Sequence, residues 1–230
     1  MSNNQRILSA KNILNELVNK FNIQSFIGNI QINLGGITAN YSNRDAIGEL
    51  LQSWLEAWFI ENNIYFKTRD NTQEFPDFLL SESNTENFLE LKTFNSEAGA
   101  AFDIANFDSY CTSLLDNAYR LDSHYLILSY EMQNAKLRIV NVWLKRVWEI
   151  SSPSKPNPIK IQDKRNVIYN LRPCAWYSEK TRFKPFSNVN EFLLALSKTQ
   201  QKYDQCAPYR DNWLNRVKSN YFENTGISLM

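Results

Sequence analysis

Two carboxylates and a lysine lie close together in the segment from Pro76 to Lys92. Asp77 directly follows Pro76, twelve residues separate it from Glu90, and Lys92 comes two positions after Glu90. If the segment forms two short strands joined by a hairpin, Glu90 and Lys92 point to the same face, with their Cα atoms about 6.6 Å apart. We expect Asp77 to reach the same edge of the sheet from the first strand, which would bring the three charges together.

The side chains of this cluster suit a divalent cation that prefers oxygen ligands. We expect Asp77 and Glu90, together with the backbone carbonyl of Leu91, to bind Mg²⁺, which keeps several waters because it dehydrates reluctantly. Lys92 would hold an attacking water or help to deprotonate it, while the ion neutralises the charge that develops on a phosphodiester. The pattern therefore predicts hydrolysis of a nucleic-acid backbone. The alternative is a surface hairpin whose exposed ion pair contributes at most about 1 kcal/mol.

The composition leaves few other reaction centres. The 230 residues include one histidine, His124, so sites built from several histidines are nearly excluded. Cys111, Cys174 and Cys206 are far apart and show no CxxC spacing, so neither a disulfide framework nor a zinc site is indicated. No run of about 18 apolar residues could span a bilayer, and the first residues lack the apolar segment of a signal peptide. We expect a cytoplasmic protein with reduced thiols and no membrane partner.

Charge is distributed unevenly along the chain, although the net charge is only +1. Residues 1–135 carry 8 basic and 17 acidic side chains, whereas residues 136–186 carry 12 basic and 3 acidic ones. An acidic metal site combined with a basic surface for a polyanion would give this pattern. A solvated basic face paired with an acidic neighbour would give it too.

Hydrophobic periodicity predicts an α/β chain. The helices are predicted at 9–18, 43–59, 102–121, 191–201 and 209–221, and the strands at 30–34, 64–68, 76–80, 88–94, 125–130 and 137–144. The helix at 43–59 has the strongest apolar stripe, so we expect it in the core. The strand at 30–34 alternates strictly and stops at Gly35-Gly36, which predicts a half-buried strand and a turn. A second turn is predicted at Gln133-Asn134.

A proline-rich loop marks the expected end of the core. Three prolines lie within residues 153–158, and this density suits neither a helix nor a central strand. We predict a single domain over residues 1–230, in which a catalytic core of about residues 43–150 is followed by a basic, DNA-contacting region and a helical tail at about 151–230.

The sequence Pro76-Asp77, a spacer of twelve residues and Glu90-Leu91-Lys92 resemble the motif of the PD-(D/E)XK nucleases, with apolar residues before each acidic position. The order of the predicted helices and strands around the motif also resembles that family's core. The resemblance implies a central mixed β-sheet flanked by helices, here with a C-terminal extension. It also implies a further acidic residue on the preceding helix, for which Glu49 is the first candidate and Glu56, two turns along, the second.

Three segments resemble, more narrowly, type II restriction endonucleases of the NgoBV/NlaIV kind, which are associated with the palindrome GGNNCC. These segments are 52–58, 102–107 and 143–148, and the resemblance covers most of the first 180 residues. It implies a Mg²⁺-dependent homodimer that reads double-stranded DNA and cuts both strands.

Basic residues after position 135 are candidates for DNA contacts. Arg172, Arg182 and Lys184 are the first candidates for contacts with bases, because Arg and Lys suit guanine in the major groove. Further residues that would neutralise phosphates, and so make binding weaken steeply with salt, include Lys164, Arg165 and Lys180. Asn106 recurs with Asp103 and Tyr110 along one side of the predicted helix at 102–121, a side that faces either DNA or solvent.

The resulting hypothesis is a type II restriction endonuclease that acts as a homodimer on a short palindrome. One alternative is a DNA-repair or junction-resolving nuclease on the same core, because that enzyme would also use two carboxylates and a lysine. The other is a DNA-binding module with an inactive site, against which the intact Asp77, Glu90 and Lys92 argue.

Overall fold

The computed structural model describes residues 5–69 and 74–229. Contacts within the chain divide it into two compact units, of which the first comprises Met1–Gly99 and His124–Lys145, and the second Ala100–Ser123 and Arg146–Met230. The expected single domain stays a prediction, since compact units of one chain fold either together or separately.

Helices and strands alternate along the described residues. In chain order they are α1 (Ala10–Asn15), β1 (Ile27–Asn29), β2 (Gln31–Leu34), β3 (Ile37–Asn40), α2 (Ile47–Glu61), β4 (Phe78–Leu79), β5 (Phe88–Asn95), β6 (Ala105–Asn106), α3 (Phe107–Asp116), β7 (His124–Gln133), β8 (Lys136–Lys145), β9 (Ile161–Lys164), β10 (Val167–Leu171), α4 (Val189–Gln200) and α5 (Trp213–Thr225). A π-helical turn, Glu16–Lys20, continues α1, and short 3₁₀ turns include Ala118–Asp122 and Val147–Ile150.

A mixed five-stranded sheet organises the first unit. Its strand order is β1-β8-β7-β5-β4. Strands β5 and β7 run parallel, with Leu89 beside His124, whereas the other neighbouring strands are antiparallel. The predicted fold class, an α+β chain with a mixed central sheet, is confirmed. The turn between β7 and β8 is at Asn134-Ala135, one residue later than predicted, and both of its residues have positive φ.

Helix α2 packs its apolar stripe against this sheet. Ile47, Leu51, Leu55, Trp58 and Phe59 are its buried residues, as expected from the periodicity. They join a core that includes four leucines of the two central strands, namely Leu89, Leu91, Leu126 and Leu128. Because these leucines alternate with polar positions on β5, the face opposite to them is left for Glu90 and Lys92.

Two predicted strands differ from the structure. Residues 64–68 form no strand, and only single residues there pair with other segments, Ile64 with Arg6 and Lys67 with Leu79. The segment at 30–34 contains β2, which pairs with β3 around the predicted Gly35-Gly36 turn, but both strands are exposed along their whole length. The prediction of a half-buried strand was therefore wrong, since alternation identifies the apolar face without supplying anything to cover it.

The helix predicted at 102–121 was also too long at both ends. Strand β6 precedes α3 and pairs with β10, and the backbone NH of Ile104 donates to the carbonyl of Leu171 at 3.0 Å. Asn106 then caps α3, because its side chain accepts a hydrogen bond from the backbone NH of Ser109 at 3.0 Å. The helix ends at Asp116 and is followed by a 3₁₀ turn.

The second unit combines a small sheet with three helices. Strands β6, β10 and β9 form the sheet in that order. The indole NH of Trp213 on α5 donates to the carbonyl of Cys111 on α3 at 2.8 Å, and both residues are fully buried. Residues 151–158 contain neither helix nor strand, which confirms the predicted loop. The three cysteines are free and buried. Among the residues that the structure describes, no helix is long and apolar enough to cross a membrane.

Truncation of Phe59 should destabilise the first unit strongly. Its ring is fully buried and lies edge-on to the ring of Phe78 at 5.3 Å between centroids. We expect Phe59→Ala to lower the free energy of unfolding by about 3–5 kcal/mol, because truncation of a buried aromatic ring leaves a cavity in the core. The adjacent, exposed Ile60 is the matched control, and Ile60→Ala should change it by no more than about 0.5 kcal/mol. Urea unfolding measures both, and equal effects would contradict this packing.

Candidate active site

Strand β4 is too short to cover the edge of β5, and Asp77 occupies the position that it leaves. Only Phe78 and Leu79 of β4 pair with β5, opposite Leu89 and Phe88. The next backbone NH on that edge belongs to Leu91, and it donates to Oδ2 of Asp77 at 2.7 Å. The Asp77 carboxylate thus takes the hydrogen bond that a longer strand would have taken.

Glu90 completes a reciprocal arrangement with Asp77. Glu90 is 7% exposed, and its Oε2 accepts from the backbone NH of Asp77 at 3.2 Å. Oε1 lies 2.9 Å from Nζ of Lys92, so the two side chains occupy the same face of β5, as strand alternation requires. The structure therefore brings Asp77, Glu90 and Lys92 together, with the Leu91 backbone between them.

The pKa of Asp77 is raised to about 7, chiefly by burial. The negative charge of Glu90 contributes to this rise, whereas the hydrogen bond from Leu91 and the charge of Lys92 act against it. Burial and the neighbouring carboxylate thus favour the protonated form of Asp77. A cation at this position would offset the repulsion between the two carboxylates.

The available ligands fit a hard cation. Within residues 5–69 and 74–229, no three Asp, Glu, His or Cys side chains form a group that could hold a metal ion. Asp77 and Glu90 supply carboxylate oxygens, and Leu91 supplies a carbonyl. Two carboxylates match Mg²⁺, which is usually bound through one or two carboxylates and keeps several of its waters.

Helix α2 carries both candidates for the further acidic residue. Glu49 lies in its first turn and is exposed, whereas Glu56 is half-buried. The charge of Glu56 is also one of the causes that raise the pKa of Asp77. Burial and electrostatics therefore favour Glu56, while a catalytic role for Glu49 stays a prediction. Sequence periodicity could not separate the two, because residues seven apart lie on the same side of a helix.

The expected DNA contacts lie in the second unit. Lys164 ends β9, and Arg165 lies in the tight turn before β10 with a φ of 53°; both side chains are exposed. The candidates Lys180, Arg182 and Lys184, which follow β10, are exposed as well. Arg182 stacks over the ring of Phe183, and Lys184 donates to the carbonyl of Glu179 at 3.1 Å.

Two candidates already have structural partners. Arg172 forms an ion pair with Asp103, so its guanidinium is held in a fixed direction. Asn106, besides capping α3, donates from its side-chain amide to the carbonyl of Tyr169 at 3.1 Å. These bonds position the two side chains within the second unit, and their use in DNA binding stays a prediction.

Comparisons with known proteins identify a single enzyme class. The model of a family described as NgoBV restriction endonuclease matches residues 7–230. Type II restriction enzyme NlaIV of Neisseria lactamica is 34% identical over 195 residues, which cover 84% of this chain and 80% of that protein. Type II restriction enzyme NgoBV of Neisseria gonorrhoeae is 32% identical over 146 residues, which cover 63% and 83% of the two chains.

A solved structure agrees with these sequence matches. The structure of NlaIV restriction endonuclease is similar to this chain with a TM-score of 0.93 at 31% sequence identity. The match covers 98% of this chain and 93% of the other.

The raised pKa of Asp77 predicts a pH-dependent stability for the metal-free protein. An unfolded chain releases the Asp77 proton near pH 4, whereas the folded protein holds it until about pH 7, so the free energy of unfolding should fall as the pH rises through this window. Asparagine does not ionise, so Asp77→Asn should remove this loss of stability with rising pH. Between pH 4 and pH 8, in the presence of EDTA, the variant should gain roughly 1–4 kcal/mol relative to the wild type in urea unfolding.

The exposed Asp211 provides the control for the loss of one negative charge. Asp211→Asn should follow the wild type over the whole pH range. If Asp77→Asn also follows the wild type, then Asp77 is not held in a desolvated pair.

Proposed function

This chain belongs to the NgoBV restriction endonuclease family and is a type II restriction endonuclease; on that premise, we propose that it hydrolyses double-stranded DNA with Mg²⁺ at Asp77, Glu90 and Lys92. The resemblance inferred from the sequence is confirmed at the level of the family. We further propose that a homodimer cuts both strands of a short palindrome, for which GGNNCC is the first site to test.

The observation that carries the site assignment is the reciprocal bonding of Asp77 and Glu90. Each carboxylate accepts a hydrogen bond from a backbone NH. Asp77 accepts from Leu91, the residue after Glu90, at 2.7 Å, and Glu90 accepts from Asp77 at 3.2 Å. These bonds hold the two carboxyl groups side by side, although burial and the repulsion between their charges oppose this placement. Such an arrangement is typical of a functional site, because a purely structural position would not need both charges.

Asp77, Glu90 and the Leu91 carbonyl would hold the ion. When bound, Mg²⁺ supplies positive charge to the phosphate oxygens, which stabilises the charge that develops during hydrolysis. The bonds to Leu91 and Asp77 backbone NH groups keep both carboxylates oriented before the DNA arrives. We assign Glu56 to a supporting position beside Asp77, where its charge increases the local affinity for a cation.

Lys92 acts next to the carboxylates. Its Nζ lies 2.9 Å from Oε1 of Glu90, and this contact holds a long, flexible side chain in one place. From there the ammonium group orients the attacking water and offsets negative charge on the phosphate. Because Glu90 binds Lys92, substitution of Glu90 removes a carboxylate ligand and also releases the lysine.

The basic residues of the second unit are proposed to bind the duplex. Lys164, Arg165, Lys180, Arg182 and Lys184 are exposed, so they can contact phosphates or bases, and binding should weaken steeply with salt. A two-fold symmetric site requires a two-fold symmetric reader, which supports a homodimer. Three free, buried cysteines suit a reducing compartment, and we place the enzyme in the cytoplasm.

Removal of any of the three site residues should abolish cleavage without abolishing DNA binding. We expect Asp77→Ala, Glu90→Ala and Lys92→Ala to slow plasmid cleavage in Mg²⁺ by at least roughly 10²–10³-fold, because each change removes a group that stabilises the transition state. Binding to the same duplex in Ca²⁺ should be retained, since it depends on the basic residues.

Glu86 is the matched control, because it is an exposed acidic residue on the loop between β4 and β5. Glu86→Ala should cut at the wild-type rate. Full activity in either carboxylate variant would contradict the assignment. Sequencing the ends of the fragments gives the recognition site and cut position; discrete ends favour restriction, whereas a preference for branched DNA would favour a junction-resolving activity.

A further inference from the structure

The hairpin formed by β2 and β3 is amphipathic. Strand pairing places Ile32 opposite Ala39 and Leu34 opposite Ile37, so these four apolar side chains share one face. The other face is polar, with amide side chains that bond across the strands: Gln31 to Asn40 at 3.0 Å, and Asn33 to Thr38 at 3.3 Å. Because the sequence separates apolar from polar residues so completely, it specifies one face of the hairpin for burial.

None of the residues that the structure describes buries this apolar face. Ile32, Leu34 and Ile37 are 60%, 79% and 76% exposed. The two strands form a sheet of their own, and a two-stranded hairpin without a covered apolar face is only marginally stable in water. Antiparallel sheets usually pack such a face against a core. The sequence pattern therefore indicates a packing partner for the apolar face, and the described residues do not supply one.

The base of the hairpin is fixed to the first unit beside an apolar cleft. The backbone NH of Ile30 donates to the carbonyl of Ala135, and that of Tyr41 to the carbonyl of Ile30, each at 2.9 Å. The cleft has a volume of about 510 Å³ and also contains Ile30 and Gln31 in its wall. Its largest side chains are those of Phe21, Phe26, Leu50 and Trp54. The cleft thus adjoins the base of the hairpin.

The charge of this surface restricts what can cover it. Residues 21–43 include no Asp, Glu, Lys or Arg, although charged residues make up 21% of the chain. Within residues 21–43 a polyanion such as DNA has no cation to pair with, although the neighbouring strand β8 carries Lys136 and Arg138. A contact around a two-fold axis places a patch against itself, which an uncharged patch tolerates because it meets no like charge. The lack of charge in this segment is therefore compatible with a contact between two copies of the chain.

The exposed area has the size that a dimer contact needs. Phe26, Ile27, Ile32, Leu34, Ile37 and Leu50 are all large apolar residues that stay exposed. With roughly 100 Å² of apolar surface for each, they offer on the order of 600 Å², near the upper limit for a monomer's largest apolar patch. A standard interface covers about 800 Å² on each partner, so this patch could form most of one.

We propose that a second copy of this chain covers the apolar face of the β2–β3 hairpin and the adjoining cleft, around a two-fold axis. This inference rests on the homodimer of the proposed function and assigns its interface. The hairpin of each chain packs its apolar face on the same surface of the other, while Asn33, Thr38 and Asn40 on its polar face stay in solvent.

Two hairpin variants that introduce the same charge on opposite faces test the proposal. Leu34→Asp puts a carboxylate on the apolar face of the hairpin. Asn33→Asp, at the adjacent position, puts one on the polar face. In sedimentation equilibrium of the full chain without DNA, we expect the wild type and Asn33→Asp to be dimers. Leu34→Asp should weaken the dimer at least 100-fold, because each interface would bury two like charges.

Both positions are exposed, so neither substitution removes core packing, and Ile37→Asp repeats the test at a second place on the apolar face. If both apolar-face variants dimerise as tightly as the wild type, the hairpin is not the interface, although the homodimer stands. A wild-type chain that stays monomeric at micromolar concentration would overturn the homodimer itself. If the wild type is monomeric and Leu34→Asp lowers only the affinity for DNA, the hairpin would be assigned to DNA binding instead.

Discussion

The proposed active site depends on a carboxylate pair that is held together against its own repulsion. Strand β4 begins only at Phe78, which leaves the backbone NH of Leu91 without a strand partner on that edge. Asp77 takes this hydrogen bond, and its own backbone NH donates to Glu90. The two charges are thereby fixed in a partly buried position, where the pKa of Asp77 rises to about 7. A bound cation would offset this repulsion, which is why we propose a metal ion at this edge of the sheet.

The rest of the first unit keeps this strand end in place. The parallel pairing of β5 with β7 fixes the backbone of β5, while α2 packs on the leucines of its opposite face. Because Leu89 and Leu91 point into that core, Glu90 and Lys92 must point out of it. Burial of the leucines and orientation of the charged residues are consequences of one strand register. A shift of one residue would exchange the two sets.

Local patterns predicted much of this arrangement. Alternation placed Glu90 and Lys92 on one face, the 3.6-residue period found α2, and Gly35-Gly36 marked a turn that the structure has. Features that depend on where an element ends could not be predicted. Asn106 was assigned to the interior of a helix and is its cap, and the bond from Leu91 to Asp77 exists only because β4 is short. The hairpin of β2 and β3 shows the same limit, since its alternation does not say what covers its apolar face.

The carboxylate pair can be measured directly by ¹³C NMR of protein labelled at the aspartate carboxyl groups, with Asp77→Asn to identify the Asp77 signal. In the metal-free protein the account predicts that this signal titrates near pH 7, because burial and Glu90 oppose its ionisation. Addition of Mg²⁺ should move the titration midpoint to lower pH, since a cation favours the ionised form. A midpoint near pH 4 that Mg²⁺ leaves unchanged would contradict the account.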